Sequence, residues 1–228
     1  MNIGFYCLSY KNKRRDAIEN IFNTLQINAQ FSTGVDFNDR RLNEIDDKLK
    51  RVWSTCYGHL DMIRSFYESD KDYGIFCEDD IIIRKDFMIE LPHILCDFNT
   101  LELDILLLGY MCESEIDTYS SYPTWLKRDP FKYLHYPDDG TWGAQMYLLS
   151  RKHALCILSQ YYYGYAEWSL VNSSIVPFSA DWIITKTGKR ALIYPPVAIE
   201  EFELVYDDKG QTRSHTACYR FCYKPELF

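Results

Sequence analysis

The sequence contains little that would place it among nucleic-acid-binding, secreted or membrane-spanning proteins. Acidic residues outnumber basic residues by 33 to 25, the net charge is −8, and no block of lysine and arginine is long enough to bind a phosphate backbone. The longest apolar stretch, LDILLLGYM at 103–111, is too short to cross a bilayer. The N-terminus is apolar before it is basic, which reverses the order of a secretory signal. We therefore expect a soluble, cytoplasmic protein with no nucleic-acid partner and no transmembrane segment. Peripheral contact with a membrane surface is compatible with the sequence.

Several motifs of common site types are also absent. The eight cysteines include no C-x-x-C pair, so neither a zinc site nor a redox dithiol is indicated, and buried reduced thiols are the simpler interpretation. The segment SYKNKRR at 9–15 has no glycine, whereas a sugar pyrophosphorylase would carry a glycine-rich phosphate loop after its first strand. No repeat, low-complexity tract or linker divides the 228 residues, and the hydrophobic content of 47% is enough for one core. One domain spanning 1–228 is predicted.

Short apolar segments alternate with segments of helical periodicity along most of the chain. Strands are predicted at 2–9, 29–35, 73–83, 103–109 and 141–150, and helices at 12–27, 45–67, 86–98 with an interruption at Pro92, and 151–162. A short helix should follow Ser179 as its N-cap. Strands that are apolar throughout are typical of a sheet covered on both sides. The pattern predicts an α/β fold with a mostly parallel central sheet and helices on both faces.

The periodicity fails in two regions. Between 110 and 142, tyrosine and tryptophan side chains alternate with three prolines, which indicates a long functional loop rather than a disordered one. The segment 191–216 is strand-like but irregular, and DDKG at 207–210 is typical of a turn.

The stretch GIFCEDDIII at 74–83 places three adjacent carboxylates, Glu78, Asp79 and Asp80, at the end of a predicted buried strand. Ligands of open α/β sheets bind beyond the carboxyl ends of the strands, so the position suits a site. Adjacent carboxylates repel one another unless a cation or strong donors compensate, and Mg²⁺ or Mn²⁺ typically takes one or two carboxylates together with phosphate oxygens. The triplet therefore indicates a divalent metal with a phosphorylated ligand. A plain acidic turn in water is an equally good interpretation of these three residues alone.

Five segments in series resemble one family. They are CLSYKNKRR at 7–15, CYGHLDMIRSFYES at 56–69, FCEDDIIIRKDF at 76–87, DDGTWGAQMYLLSRKHA at 138–154 and SADWIITKTGK at 179–189. In order and spacing they are similar to the lipooligosaccharide-type glycosyltransferases that include the collagen galactosyltransferases, whose fold is the GT-A fold of nucleotide-diphospho-sugar transferases. Gly58 stands where that family has serine, and Cys77 where it has an aliphatic residue.

The resemblance implies a metal-dependent transfer of a sugar from a nucleotide diphosphate, expected to be a UDP-sugar, to an acceptor hydroxyl of a glycan or glycoprotein, with inversion. It implies a nucleotide-binding half at about 1–109 and an acceptor-side half at about 110–228. Mn²⁺ or Mg²⁺ would be the cofactor, with Asp80 as the first ligand, and Asp79 and His215 as further ligands. The nucleotide site would be formed by residues from the first half of the chain, namely Arg14, Arg15, Asp36, His59, Glu78 and Asp79, with His59 as a supporting residue.

Asp181 is the predicted general base, because an inverting transfer needs a carboxylate within reach of the acceptor hydroxyl. An aspartate in the first turn of a helix is also favoured by the helix dipole alone, and Glu200 and Glu201 are reserve candidates for the base. Trp142 and Trp182 are expected to line the sugar or acceptor pocket, and Trp125 to contribute to acceptor recognition.

Two other kinds of function stay open. A metal-dependent phosphoesterase or pyrophosphorylase could use the same acidic site, although a two-metal hydrolase would need more ligands at other strand ends. A sugar-nucleotide-binding module without turnover could keep the same pocket. A glycosidase fits poorly, because its two carboxylates work without a metal.

Overall fold

Strands and helices alternate along the chain in the computed structural model, which describes residues 2–10, 12–43, 45–111, 122–138, 141–201 and 212–228. The helices are α1 (Asn12–Thr24), α2 (Asp47–Glu68), α3 (Phe87–Thr100), α4 (Arg151–Tyr161), α5 (Tyr165–Val171), α6 (Ala180–Ile183) and α7 (Thr212–Cys222), with a 3-10 turn at Arg40–Leu42. The strands are β1 (Ile3–Leu8), β2 (Ala29–Ser32), β3 (Tyr73–Glu78), β4 (Ile81–Ile83), β5 (Ile105–Met111), β6 (Thr124–Arg128), β7 (Phe131–Leu134), β8 (Trp142–Ser150), β9 (Arg190–Tyr194) and β10 (Ala198–Glu200).

These strands form one mixed sheet in the part of the chain that the structure describes. Its order is β2-β1-β3-β8-β5-β9-β7-β6, and β10 pairs with both β4 and β5. The pairs β1–β2, β1–β3, β5–β9 and β5–β10 are parallel. β8 runs antiparallel to both of its neighbours, β3 and β5, and β6, β7 and β4 also pair in antiparallel fashion. The expected parallel arrangement therefore holds for β1 to β3 and for the pairs of β5 with β9 and β10, and the sheet as a whole is more mixed than the sequence indicated.

Hydrophobic side chains alternate between the two faces of the sheet, and each face is covered by its own helices. On one face, Phe76 and Tyr147 pack with the buried sides of α2 and α4 to α7. On the other face, Ile75 and Leu148 pack with α1 and α3. The predicted α/β class, with helices on both faces of a central sheet, is confirmed.

One glycine sets the distance between α2 and the sheet. A Cβ on Gly58 would lie 2.8 Å from Leu8 Cδ1 and 3.5 Å from the Gly34 Cα atom. The absence of a side chain at Gly58 therefore lets α2 approach the end of β1 closely, directly before His59.

Local structure departs from the sequence predictions at a few places. α3 continues through Pro92, because Leu91, Leu95 and other residues of its inner face are buried, and this packing outweighs the hydrogen bond that proline removes. The predicted strand 29–35 ends at Ser32, and the predicted strand 73–83 is two strands separated by a bend at residues 79 and 80.

The predicted loop at 110–142 contains the hairpin β6–β7, in which buried Phe131 and Tyr133 flank exposed Lys132 with the alternation of a strand. The neighbouring prolines obscured this signal. The parts of that predicted loop at 112–121 and 139–140, and the predicted turn at 207–210, lie outside the described residues. None of the helices in the described ranges has the length and apolar character needed to cross a membrane.

Candidate active site

Polar side chains gather where the parallel strands end. β1 and β3 are in register up to the pair Leu8 and Glu78, so Ser9 and Asp79 lie side by side just beyond. β10 ends at Glu200, which pairs with Ile81, the residue that follows Asp80. Because β8 is antiparallel to β3 and β5, it begins rather than ends at this edge. The predicted triplet thus lies at the carboxyl edge of the sheet, where α/β proteins bind ligands.

Asp79 is held from the first strand and the helix that follows it. Ser9 Oγ donates a hydrogen bond to Asp79 Oδ2 at 2.8 Å, and Arg14 Nη1 lies 3.7 Å from Asp79 Oδ1. Burial raises the pKa of Asp79, and the Ser9 hydrogen bond and the Arg14 charge oppose that rise. Asp79 is therefore anchored by the protein itself.

Asp80 is only partly compensated. Arg14 Nη1 donates to Asp80 Oδ2 at 2.8 Å, and the residue is 7% exposed. Its other oxygen, Oδ1, is buried without a hydrogen-bond partner among the described residues. Burial, together with the charges of Glu78 and Glu200, raises the pKa of Asp80 to about 8. Arg14 therefore compensates only one oxygen of the Asp80 carboxylate and only part of its negative charge.

These features fit a hard divalent cation. No three His, Cys, Asp or Glu side chains in the described ranges are grouped so that they could hold a metal by themselves. In enzymes that act on phosphorylated substrates, Mg²⁺ and Mn²⁺ are commonly bound by one or two carboxylates, and phosphate oxygens and water complete the coordination shell. The unpaired Oδ1 of Asp80 is an oxygen donor of the kind that such ions bind.

Glu78 is positioned from the opposite side by a buried histidine. His59 Nε2 lies 3.2 Å from Glu78 Oε1, and His59 Nδ1 lies 2.9 Å from the hydroxyl oxygen of Tyr147 on β8. A carboxylate only accepts, so the ring proton belongs on Nε2, and Nδ1 then accepts from the Tyr147 hydroxyl. The predicted role of His59 as a supporting residue fits this chain of hydrogen bonds from β8 to Glu78.

Removing the Tyr147 hydroxyl should interrupt the series of hydrogen bonds from Tyr147 through His59 to Glu78. His59 is fully buried, so in Tyr147→Phe its Nδ1 would lose its partner without gaining water. We expect a loss of about 1–3 kcal/mol in the free energy of unfolding, measured by urea denaturation. Tyr163→Phe is the matched control, because Tyr163 is 82% exposed and its change should cost less than about 0.5 kcal/mol. Equal stability of the two variants would contradict this role for Tyr147.

Glu200 connects the triplet to two further polar residues. His215 Nδ1 on α7 contacts Glu200 Oε2, and Gln145 Nε2 on β8 donates to Glu200 Oε1 at 3.3 Å. The hydrogen bond to Glu200 raises the pKa of His215, and burial opposes that rise. With Nδ1 bound to a carboxylate, His215 keeps Nε2 for a ligand, as metal-binding histidines commonly do. The structure places Glu200 beside the acidic triplet rather than beside Asp181.

Asp181 lies in the first turn of α6, next to the start of β8. Its Oδ1 accepts a hydrogen bond of 2.7 Å from the backbone N–H of Gly143. Burial raises the pKa of Asp181, and the Gly143 hydrogen bond opposes the rise. Ser179 occupies the N-cap position of α6 as predicted, but its side chain makes no capping hydrogen bond. One oxygen of Asp181 is therefore fixed, and the carboxylate has the raised pKa expected of a general base.

Trp142 and Trp182 pack together beside Asp181. Their rings meet edge to face with centroids 5.2 Å apart. The Lys186 ammonium lies 4.6 Å from the centre of the Trp142 ring, and its Nζ donates to the Thr141 carbonyl. The two rings therefore pack against each other next to the predicted base.

Three predicted site residues lie elsewhere. Arg15 pairs with Glu19 and covers the ring of Phe31, so it does not join Arg14 at the triplet. Asp36 accepts from the backbone and side chain of Asn38 and caps a turn. Trp125 stacks on His135 on the outermost hairpin, and Lys189 lies 6.0 Å from its ring centre. None of these contacts reaches the triplet or Asp181.

Sequence reasoning missed Ser9, Gln145 and Lys186. Ser9 directly follows the first strand, and strand register alone could have placed it beside Asp79. Gln145 is a polar residue within an otherwise apolar strand, which was a readable signal. Lys186 carries no local pattern that distinguishes it from a surface lysine.

Comparisons with known proteins give likeness in chain arrangement only. No family model matches the sequence, and a search of curated proteins finds no match. One similar solved structure is described as a "mannose-1-phosphate geranyltransferase" from Thermus thermophilus, with 7% identity, a TM-score of 0.49, and coverage of 85% of this chain and 74% of that one. A second is described as "a glycosyltransferase involved in the glycosylation of the major capsid of PBCV-1", with 7% identity, a TM-score of 0.41, and coverage of 96% and 92%.

A third is described as "the inositol-1-phosphate CTP transferase from T. maritima", with 11% identity, a TM-score of 0.39, and coverage of 98% and 80%. At these values the likeness concerns the course of strands and helices and extends no further.

Proposed function

We propose that this protein is a metal-dependent glycosyltransferase that moves a sugar from a nucleotide diphosphate, expected to be a UDP-sugar, to an acceptor hydroxyl of a glycan or glycoprotein with inversion. The observation that supports it most is the buried, half-satisfied carboxylate of Asp80 at the carboxyl edge of the sheet. Asp80 and His215 would hold Mn²⁺ or Mg²⁺, and Asp79, which Ser9 and Arg14 anchor, would be a further ligand. When bound, the cation would neutralise the charge that gathers on the leaving diphosphate.

Each residue of the candidate site has a defined task in this proposal. Arg14 already bridges Asp79 and Asp80, so it fixes the carboxylates and adds positive charge near the phosphates. Glu78, held by His59, would accept a hydrogen bond from the ribose or from a water on the cation. Asp181, with one oxygen fixed by Gly143, would use the other to take the proton of the acceptor hydroxyl. Trp142 and Trp182 would exclude water from one side of the sugar.

A thermal-shift panel tests the proposal. Nucleotides and nucleotide sugars are added with and without Mn²⁺, and a ligand that binds the native state at about a hundred times its Kd should stabilise it by about 2.7 kcal/mol. For a chain of this size such a gain corresponds to a rise in Tm of about 5–10 °C. We expect the rise for UDP compounds only with the metal. A panel with no metal-dependent shift for any nucleotide would remove the basis of the proposal.

The affinity for Mn²⁺ should depend on pH. Asp80, with its pKa raised to about 8, and His215, whose pKa is also raised, must both lose a proton before they bind a cation. Affinity should therefore rise with pH, by up to about tenfold per pH unit for each proton released, and level off above about pH 8. Titration calorimetry between about pH 6 and about pH 8.5 in buffers of different ionisation enthalpy would count the protons. A constant affinity and no proton release would contradict the assignment of these ligands.

A further inference from the structure

One buried side chain spans the distance between the two ends of the candidate site. Gln145 is 5% exposed, and its Nε2 donates to Glu200, the residue that also holds His215 at the metal end. The same amide packs over Gly143, whose N–H donates to Asp181 at the base end. Gln145 therefore lies between the groups proposed to bind the diphosphate and the group proposed to deprotonate the acceptor.

The orientation of this amide is set by its neighbours. The Glu200 carboxylate only accepts hydrogen bonds, so the NH₂ group of Gln145 must face it, and Oε1 must face the other way. Gly143 has a φ of +107°, and a Cβ at this position would overlap Gln145 Oε1. Glycine at 143 thus leaves the space that the amide oxygen occupies.

The amide oxygen is an acceptor that lacks a donor. Gln145 Oε1 is buried and has no hydrogen-bond partner among the described residues. A buried acceptor without a partner is unfavourable, and in a functional site a bound ligand can supply the missing donor. The sugar that is transferred would have to lie between the diphosphate and the base, and its hydroxyl groups are donors.

We propose that Gln145 Oε1 accepts a hydrogen bond from one hydroxyl group of the transferred sugar and thereby selects the donor substrate. The identity of the ligand as a nucleotide sugar rests on the proposed function. A site that bonds a substrate hydroxyl rejects the analogue that lacks it, because the buried partner is then left unpaired. Gln145 is thus a specificity-determining residue, fixed in place by Glu200 and Gly143.

The test combines deletions on the protein and on the ligand. Kd values are measured by calorimetry with Mn²⁺ for UDP, for UDP-glucose and UDP-galactose, and for analogues of these sugars that lack one hydroxyl at a time. For wild type we expect one analogue to bind about ten- to a hundredfold more weakly than its parent sugar. Gln145→Met, which keeps the length of the side chain but has no amide, should bind that analogue and its parent equally well. Gly143→Ala, which displaces the amide through a different residue, should show the same loss of discrimination.

Gln160→Met makes the same exchange on the exposed face of α4 and should keep the wild-type profile. The inference is overturned if wild type binds every analogue like its parent, or if the variants that fold discriminate as wild type does. Failure of the proposed function looks different, since UDP itself would then show no Mn²⁺-dependent binding to wild type.

Discussion

Asp80→Asn is expected to abolish turnover while it leaves the metal-free protein folded. Asparagine keeps an oxygen that can accept from Arg14, but it offers no charge to a divalent cation. Because several kcal/mol of transition-state stabilisation depend on that ion, kcat/KM for UDP release from the donor should fall by about a thousandfold or more. The Mn²⁺-dependent thermal shift with UDP should disappear in the same variant.

Stability gives an independent readout of the same substitution. A folded-state pKa raised above the unfolded value means that Asp80 contributes stability fully below about pH 4, and that this contribution is lost as pH rises through about 8. Without metal, wild type should therefore lose stability over this range, and Asp80→Asn should lose less. Asp70→Asn, whose side chain is 83% exposed, is the control and should behave as wild type in both assays. Retained metal-dependent turnover in Asp80→Asn would show that the cation is bound elsewhere.

Asp181→Asn should separate catalysis from binding. The amide can still accept the hydrogen bond from Gly143, so the turn at the start of α6 should persist. The acceptor proton, however, would have no base, and kcat should fall by about a hundred- to ten-thousandfold. The Kd for UDP with Mn²⁺ should stay within about twofold of wild type, because Asp181 contacts neither the cation nor the diphosphate in this proposal.

The pH dependence of turnover provides the complementary measurement. Since burial raises the pKa of Asp181, kcat of wild type should rise with pH as this carboxyl loses its proton, and the small residual rate of Asp181→Asn should lack that rise. Asp47→Asn, with a side chain 93% exposed, is the control. If Asp181→Asn retains full activity, the base is another carboxylate and Glu201 becomes the next candidate. If wild type binds UDP with Mn²⁺ yet never releases UDP from any donor, the protein is a binding module.

Apolar periodicity was enough to predict the layered fold, because strand and helix positions follow local patterns. Strand direction within the sheet was not predictable in the same way, since β8, apart from Gln145 and the terminal Ser150, is as apolar as β5 beside it. The sequence between β5 and β8 gives no sign of the reversal of β8, because the short alternation of β7 in it is obscured by neighbouring prolines. This reversal is also what brings Gly143 and Gln145 to the edge where the other strands end.

The site was predictable where its residues are neighbours in sequence and not where packing joins distant segments. Glu78, Asp79 and Asp80 were recognisable as three adjacent charges after a strand. The choice between Arg14 and Arg15 depended on how α1 is rotated about its own axis against the sheet. This rotation turns Arg14 toward Asp80 and Arg15 toward Phe31. The role of Glu200 depends on contacts with Gln145 and His215, and sequence spacing contains no information on either.

The close approach at Gly58 links two positions that are about fifty residues apart. A side chain at 58 would lie too close to the Leu8 methyl groups, so either Leu8 must change its conformation or α2, with His59 and its contact to Glu78, must move. A smaller residue at position 8 would leave room for a side chain at position 58. The stability cost of a substitution at Gly58 should therefore depend on which residue stands at position 8, so that the two positions are coupled through a single methyl-sized gap.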